Sequence, residues 1–475
     1  MNLLSPPPGR AALPSRARGR AAAALCALLL ISAGPHAAGA KPAPPPAPSQ
    51  GDPQIRHELY TLPNGLEVLL VPDRSVPLVA VSVWYHVGSG SENPGKSGFA
   101  HLFEHMLFQG SKHVGSDRHF EILKRIGAST VNGSTNSDRT NYFEVVPSNQ
   151  LETALWLESD RMGHLLPLLT EESFRNQVDV VRNERRQRYD NVPYGKARFA
   201  LAETLYPEGH PYRYMTIGRH EDLEHASLAD VIAFYKTWYV PANATLAIGG
   251  DFEIPAAKAL VAKWFGGFPT SVRPTTARPM TAPPAAKEVT VPDEFAKLRS
   301  VQFSWLSPGN FAPGDAELDL LASALGDEGT GRLYRVLVFE KQLAQSVWVG
   351  QRGAGFAGVF SINVTLRSDA NLDEVKALVF AELARALREP LSERELARAV
   401  IGYESSALYG LEDLLSRVER LQTYHHYLGS PDRISWDLDR YRLTTAERVR
   451  AVANTYLTAD HLVTVITQPS GAGAP

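Results

Sequence analysis

The segment His101-Leu102-Phe103-Glu104-His105 limits what this chain can become more than any other. On a helix, residues three and four positions apart lie on one face, so both imidazoles and the carboxylate would point the same way. Two neutral imidazoles can bind zinc, and a neighbouring carboxylate can take a proton from the activated water. The segment therefore predicts a hydrolytic zinc centre, provided that another element supplies a third ligand.

Two features of the segment favour this prediction over the alternative, which is an ordinary amphipathic helix with two surface histidines. Its order is H-x-x-E-H, the inverted form of the common H-E-x-x-H zinc motif. Its apolar neighbours would bury the helix, namely Leu102, Phe103, Met106 and Leu107. Histidines placed in or beside a core need partners, because an unpaired buried polar group is costly, and a metal ion would provide them.

Glu184 is the best candidate for the third ligand. Residues 177–189 have a helical pattern, and Glu184 falls at helical spacing from Val180 and Val181, on or beside the apolar face. The alternative is an ordinary salt-bridged glutamate. Glu171 and Glu172 are weaker candidates, because acidic residues are favoured at the start of a helix in any case.

The composition indicates a globular protein of several domains. The chain has 475 residues, 44% of them hydrophobic and 21% charged, which is enough for two to four domains. A formal net charge of −3 gives no reason to expect nucleic acid or an anionic membrane as a partner.

The first forty residues have the pattern of a secretory signal peptide. Several arginines precede an apolar run over residues 21–32, and Ala38-Gly39-Ala40 is typical of a cleavage site. The apolar run is too short to span a bilayer comfortably, so no stable membrane span is expected. The prediction is a periplasmic or secreted protein. A mitochondrial presequence is the alternative, because arginine and alanine are abundant in this region.

The only cysteine supports the same location. Cys26 lies within residues 1–40, so cleavage after Ala40 would leave a chain without cysteine, which suits an oxidising compartment. Residues 41–54 are rich in proline and are predicted to form an extended linker.

The rest of the chain repeats one pattern of strands and helices. A segment rich in Pro, Thr and Ala, residues 269–286, is predicted to link two domains at 55–268 and 287–475. Both domains carry strand patterns separated by helices, which indicates an α+β fold with segregated layers. The predicted strands are 66–71, 78–84, 140–146 and 244–249 in the first domain and 301–306, 359–366 and 462–466 in the second. The predicted helices include 151–166, 317–325, 371–387 and 392–411.

Several stretches resemble the M16 zinc peptidases of the pitrilysin and insulinase type. They are residues 64–68, 84–91, 98–108, 181–186, 239–244 and 249–252, and the likeness covers nearly all of the chain after residue 40. The chain is most similar to the short bacterial members, which also resemble subunits of mitochondrial processing peptidase. The resemblance implies that His101, His105 and Glu184 bind Zn²⁺ and that Glu104 is the general base. It also implies two similar domains, each a mostly antiparallel sheet covered by helices, which enclose a cavity. Only the first would bind metal.

The resemblance also implies where a peptide or unfolded protein would bind. The polar segment 127–136 would form an edge strand on which the substrate adds as a further strand. Asn132 matches the asparagine of the family, whereas Gly133 stands where alanine is usual. Gln177 replaces a glutamate that often supports the metal ligands, so it can still form a hydrogen bond but adds no charge. The alternative for segment 127–136 is an ordinary polar hairpin.

The second domain departs from the family at two positions. Many members have an arginine and, seven residues later, a tyrosine that hold the substrate backbone and the developing oxyanion. Val338 and Gln345 stand there in this chain. We therefore expect a heterodimer in which a homologous subunit supplies both residues. The functional prediction is a zinc metalloendopeptidase. The alternatives are a non-catalytic assembly or scaffold subunit and a zinc-storage protein.

Overall fold

A computed structural model describes residues 51–276 and 282–470 of the chain. The predicted signal peptide 1–40 lies outside the described residues. Residues 41–50 of the first linker and 277–281 of the second also lie outside them. The proposed boundaries of the two domains stay predictions.

The first half of the molecule, residues 58–265, contains six strands and the helices that cover them. Its strands are β1 (Glu58–Thr61), β2 (Glu67–Pro72), β3 (Leu78–Tyr85), β4 (Thr130–Thr135), β5 (Thr140–Pro147) and β6 (Ala244–Gly250). Its helices are α1 (Phe99–Met106), α2 (His119–Arg125), α3 (Leu151–His164), α4 (Glu171–Arg185), α5 (Gly195–Leu205), α6 (His220–Glu224), α7 (Leu228–Trp238) and α8 (Ile254–Phe265).

The second half, residues 287–469, contains five strands and a similar set of helices. Its strands are β7 (Lys287–Asp293), β8 (Ser300–Ser307), β9 (Ala344–Arg352), β10 (Gly358–Leu366) and β11 (Val463–Pro469). Its helices are α9 (Asp315–Gly326), α10 (Arg332–Tyr334), α11 (Leu372–Arg388), α12 (Glu393–Tyr409), α13 (Leu414–Leu428), α14 (Ile434–Arg442) and α15 (Ala446–Tyr456).

The two sheets have the same topology apart from one additional edge strand. The first has the order β1-β2-β6-β3-β5-β4, and the second has the order β7-β11-β8-β10-β9. In each sheet one neighbouring pair is parallel, β2 with β6 and β7 with β11, and the other pairs are antiparallel. The predicted α+β class and the two similar halves are therefore confirmed. The sequence patterns did not identify β1, β7 or β9.

Each sheet has two different faces, because successive strand residues point to opposite sides. In the first half, one face packs against α1 and α3, and α4, α7 and α8 pack against these helices to complete the main core. The corresponding face of the second sheet packs against α9, α11 and α15. These cores leave one face of each sheet to be covered by another part of the chain.

Each half covers the remaining face of the other half's sheet. Helix α13 of the second half packs on β3 and β6, where Val418 and Leu421 contact buried residues such as Ala247. Helix α5 of the first half packs on β7 and β11, where Leu205 meets Val463. Because each half contributes one helix to the sheet of the other, the two halves bury each other's apolar faces and belong to one compact unit.

Candidate metal centre

Helix α1 is held by its apolar residues, which fixes the direction of its polar face. Phe99, Leu102, Phe103 and Met106 are buried in the first core, and Phe103 stacks on Phe234. A buried side chain of this size stabilises the fold by about 1.5–3 kcal/mol, so the helix has one preferred rotation about its axis. That rotation brings the two histidines and the glutamate of α1 together.

The start of α1 is fixed by a glycine and a buried carboxylate. Gly98 caps the helix with a φ of 93°, in the left-handed region that favours glycine. Glu92 accepts hydrogen bonds from the backbone N–H groups of Gly98 (3.0 Å) and Ala100 (2.8 Å). Burial raises the pKa of Glu92 to about 8, against the lowering effect of these backbone donors. Two backbone donors at the helix N-terminus are thus satisfied immediately before His101.

Three potential metal ligands meet beside α1. His105 Nε2 lies 3.1 Å from Glu184 Oε2, and His101 Nε2 lies 3.7 Å from the same oxygen. One ligand atom from each of the three residues lies within 4.8 Å of the other two. Glu184 comes from α4, which packs directly against α1. The structure therefore brings the predicted ligand set together from two helices far apart in the sequence.

The protonation states at this cluster suit a divalent cation. Burial and the neighbouring His105 lower the pKa of His101 to about 4, so its imidazole is neutral at pH 7. Burial acts to raise the pKa of Glu184, but the hydrogen bond to His105 and nearby positive charges lower it overall. His101 Nδ1 is buried without a hydrogen-bond partner among the described residues. A neutral imidazole and an ionised carboxylate are donors that zinc accepts, so the residues fit the metal.

Glu104 is held by a residue that the sequence patterns did not identify. Thr135 of β4 donates a hydrogen bond from its hydroxyl to Glu104 Oε2 at 2.7 Å. Burial raises the pKa of Glu104, while this hydrogen bond and the proximity of His105 act in the opposite direction. Thr135 and Glu104 are 31 residues apart, so no local pattern could have indicated their contact.

Strand β4 lies at the edge of the first sheet, beside Glu104. It pairs with β5 on one side only. A Cβ atom at Gly133 would lie 3.2 Å from Glu104 Cγ and 3.0 Å from Phe108, so this glycine permits a close approach to Glu104. Asn132 is half-buried, and its side-chain oxygen accepts the backbone N–H of Gly133 at 2.9 Å. The expected edge strand is present, while substrate binding by Asn132 and Gly133 stays a prediction.

The side chain of Glu184 is held by an arginine four positions further along the chain. Helix α4 changes to a π-helical segment at Arg186–Asp190, two positions after Glu184. Such segments are frequent at functional sites. Arg188 in this segment lies 2.7 Å from Glu184 Oε1, so the second carboxylate oxygen is held away from the histidines. The i, i+4 spacing of Glu184 and Arg188 is a signal that could have indicated this pair.

The weaker ligand candidates and the proposed supporting residue lie elsewhere on α4 or lack the contacts expected of them. Glu171 and Glu172 are exposed at the start of α4, and Glu171 pairs with Arg175. Gln177 is buried on α4, but within the described ranges no hydrogen bond joins it to His101. Its supporting role stays a prediction.

The two positions that depart from the family lie in the second half. Val338 is half-buried in a π-helical segment, Arg335–Glu340, and packs against the second core. Gln345 is exposed on β9, which is the edge strand of the second sheet. Neither side chain carries a charge or a phenol that could stabilise an oxyanion.

The paired histidines of α13 contribute to packing between the halves. His425 Nε2 lies 3.1 Å from Glu67 on β2, and His426 stacks on His86 of the first half. His119 is buried against Arg161. In the described ranges of the chain, no helix is long and apolar enough to cross a membrane.

Two profiles of one peptidase family match the chain. Residues 67–208 match the profile described as insulinase (peptidase family M16), and residues 225–403 match the one described as peptidase M16 inactive domain. Over 425 residues the chain is 29% identical to the zinc protease PqqE of Helicobacter pylori, and the match covers 87% of this chain and 93% of that protein.

Solved structures share the fold. A protease from Helicobacter pylori matches with a TM-score of 0.81 and 27% identity over 88% of this chain and 100% of that one. The periplasmic protease PqqL from Escherichia coli matches with a TM-score of 0.72 and 17% identity, which shows the fold alone. This second match covers 89% of the present chain but 48% of PqqL, so it accounts for about half of the longer protein.

Proposed function

Because the chain belongs to the M16 peptidase family, we propose that it is a zinc endopeptidase acting on unfolded peptides or small proteins. The observation that carries this proposal is the convergence of His101, His105 and Glu184 within 4.8 Å. Glu104 lies on α1, the helix that carries the two histidines. Two imidazoles and one carboxylate leave a fourth zinc position open, which is the arrangement of catalytic rather than structural sites.

Zinc bound here would supply a Lewis acid that polarises a peptide carbonyl and lowers the pKa of water. The chain's own residues would manage the proton. Glu104 accepts it from the attacking water and then delivers it to the leaving amine. Thr135 orients Glu104 through its hydroxyl, and Arg188 orients Glu184. Both contacts reduce the motion of groups that must be in position during the reaction.

Strand β4 is the proposed binding site for the substrate backbone. Its outer edge offers backbone N–H and C=O groups to a peptide that extends the sheet. Because Gly133 packs against Glu104, a peptide on this edge would pass directly beside the general base. Such binding requires an extended segment, which favours unfolded substrates over folded ones.

A homologous subunit is the proposed source of the missing arginine and tyrosine. Val338 and Gln345 cannot supply their charge and hydroxyl, and the fold recurs in PqqL as about half of a longer chain. We expect the mature chain alone to cleave peptides poorly and to become active with a homologue that carries both residues. Full activity of the isolated chain as a monomer or homodimer would refute the heterodimer while leaving the peptidase intact.

Zinc content and cleavage of a quenched peptide test the enzymatic proposal together. We expect zinc to co-purify with the protein, chelation to abolish cleavage and added zinc to restore it. Bound zinc without cleavage, even with the homologous partner present, would favour the scaffold or zinc-storage alternative. The absence of zinc would contradict the site itself.

A periplasmic or secreted location is also proposed, on the basis of the pattern in residues 1–40. Sequencing of the mature N-terminus after cell fractionation tests it. A start just after Ala40 in the periplasmic or extracellular fraction is expected, and an uncleaved cytoplasmic chain would contradict the proposal.

A further inference from the structure

A second group of potential metal ligands lies apart from the first. It consists of His113, on the loop after α1, with Asp160 and His164 at the end of α3. One ligand atom from each lies within 4.8 Å of the other two. We propose that this His113–Asp160–His164 cluster binds a second divalent transition-metal ion of the zinc class, one that does not take part in peptide hydrolysis.

The helix geometry aligns two of the three residues. Asp160 and His164 are four positions apart, so they share one face of the last turns of α3. The Asp160 side chain is only 3% exposed, and its Oδ1 lies 2.5 Å from Nδ1 of His113. A buried carboxylate beside two imidazoles provides one oxygen and two nitrogens, a donor set that suits zinc, nickel and copper.

The carboxylate of Asp160 is already oriented by its neighbours. Its Oδ2 accepts a hydrogen bond from the Ser111 hydroxyl and another from the backbone N–H of His113 at 3.1 Å. Hydrogen bonds of this kind hold metal-binding carboxylates in place in established sites. Oδ1, which lies 2.5 Å from His113 Nδ1, is thereby left as the oxygen available to an ion.

The two imidazoles converge rather than stack. The ring centroids of His113 and His164 lie 5.0 Å apart, and the ring planes meet at 84°. The His113 side chain is 48% exposed, which gives an ion a path from solvent to the buried carboxylate. An ion at this point would exchange the hydrogen bond between His113 and Asp160 for two bonds to the metal.

His164 distinguishes a metal site from a simple anchor for the loop. Asp160 can anchor the loop through Ser111 and His113 without any help from the His164 ring. The His164 backbone carbonyl accepts the N–H of Lys112 at 3.0 Å, and its ring packs on that of His113. Replacing the side chain would therefore keep the hydrogen bonds that anchor the loop, at the cost of one ring contact.

The position of the cluster indicates what a bound ion would do. The loop that carries His113 follows directly from α1, so an ion would tie the segment after the catalytic helix to the end of α3. Such a link stabilises the folded state by an amount that grows with the logarithm of the metal concentration above Kd, because the unfolded chain has no preformed site.

The test uses the full mature chain with the first site removed. In the double variant His101→Ala/His105→Ala, we expect one equivalent of Zn²⁺ after dialysis against buffered zinc, measured by elemental analysis and by calorimetric titration. Adding His164→Ala should abolish this equivalent or weaken its affinity at least about tenfold. Adding His225→Ala instead, at an exposed histidine that follows the last residue of α6, should leave it unchanged.

Thermal unfolding provides a second measurement on the same proteins. Zinc should raise the melting temperature of the double variant and of its His225→Ala derivative, but not that of its His164→Ala derivative. The proposal is overturned if the double variant retains no zinc, or if the His164→Ala derivative binds and responds to zinc as its parent does. Asp160→Asn is avoided as the sole test, since loss of the loop anchor could unfold the region.

Discussion

Helices α1 and α9 occupy the same place in the two halves but carry different chemistry. Each follows the same strand in its sheet, and each begins after a glycine in the left-handed region, Gly98 with a φ of 93° and Gly314 with a φ of 99°. Each also packs against a helix that starts with a capping box, α4 after Thr170 and α12 after Ser392. The backbone scaffold of the metal centre is therefore present twice.

The side chains decide which copy can bind metal. Counted from the two glycines, His101, Glu104 and His105 correspond to Glu317, Leu320 and Leu321 in that order. Counted from the two capping residues, Glu184 corresponds to Ser406. Leu320 and Leu321 are buried in the second core, and Glu317 pairs with Arg448 of α15.

This comparison separates the fold from its chemistry. Four side chains distinguish the polar cluster of the first half from the matching contact in the second half, while the glycine, the cap and the shared part of the sheet topology stay the same. The same scaffold can therefore carry a candidate metal site or a packing contact, so the fold alone does not determine function. The second half supplies matched positions at which each assignment in the first half can be tested.

The largest expected effect comes from Glu104→Gln. Loss of the proposed general base should lower kcat/KM about a thousandfold or more, with bound zinc unchanged, because the proposed ligands remain in place. Glu317→Gln makes the same chemical change on α9 and should leave kcat/KM within about twofold of wild type, as it removes no group that contacts substrate. Peptide cleavage and zinc content should be measured on both variants. An equal loss of activity in the two would contradict the role proposed for Glu104.

A change at the proposed metal ligand on α4 should give the next largest effect. Glu184→Gln should weaken zinc binding at this site about a hundredfold, because the only carboxylate ligand becomes a neutral amide. Ser406→Ala, at the matching position of α12, should leave zinc affinity unchanged. Competition with a zinc-binding dye measures both, and unaltered affinity in Glu184→Gln would remove this residue from the ligand set.

Local patterns predicted the parts of the site that lie within one helix. The spacing of His101, Glu104 and His105 places them on one face, and the burial of α1 then follows from its apolar residues. Glu184 required both its helical spacing and the family resemblance. Thr135 could not be predicted, because its contact with Glu104 depends on how an edge strand lies beside a helix.

The packing of α5 and α13 on the sheet of the opposite half could not be predicted from the sequence either. An amphipathic helix shows that one of its faces is buried but not which sheet buries it. Strand β9 escaped prediction for a related reason. It is an edge strand with exposed residues such as Gln345 and Trp348, so it lacks the continuous apolar pattern of a central strand.

The two capping glycines should differ in their tolerance of a side chain. Gly98→Ala should destabilise the protein by about 1–3 kcal/mol, because alanine is strained at positive φ. Its Cβ would also lie 3.0 Å from backbone atoms of Ile217 and Gly218, which cannot easily move. At Gly314 the nearest atoms belong to side chains, at 3.1 Å and 3.2 Å, so Gly314→Ala should cost less. Urea unfolding measures both, and the reverse order would contradict the structural account.

Substitution of Arg188 should give the smallest effect on zinc affinity, and it tests a single contact of the first half that the second half lacks. Its counterpart beyond α12, counted from the capping residues, is Gly410, which can support no neighbouring side chain. Arg188→Met should weaken zinc binding about tenfold, or about 1.4 kcal/mol, because Glu184 loses the group that holds its second oxygen.

Arg186→Met is the matched control for this change. Arg186 is exposed in the same π-helical segment and bonds to Asn183 rather than to Glu184, so the variant removes the same charge without the contact. Zinc affinity should then stay near that of wild type. Equal weakening in both variants would contradict a role for Arg188 in orienting Glu184, since loss of a positive charge should by itself strengthen the binding of a cation. Higher salt should screen such a charge effect, whereas the loss from a direct contact should persist.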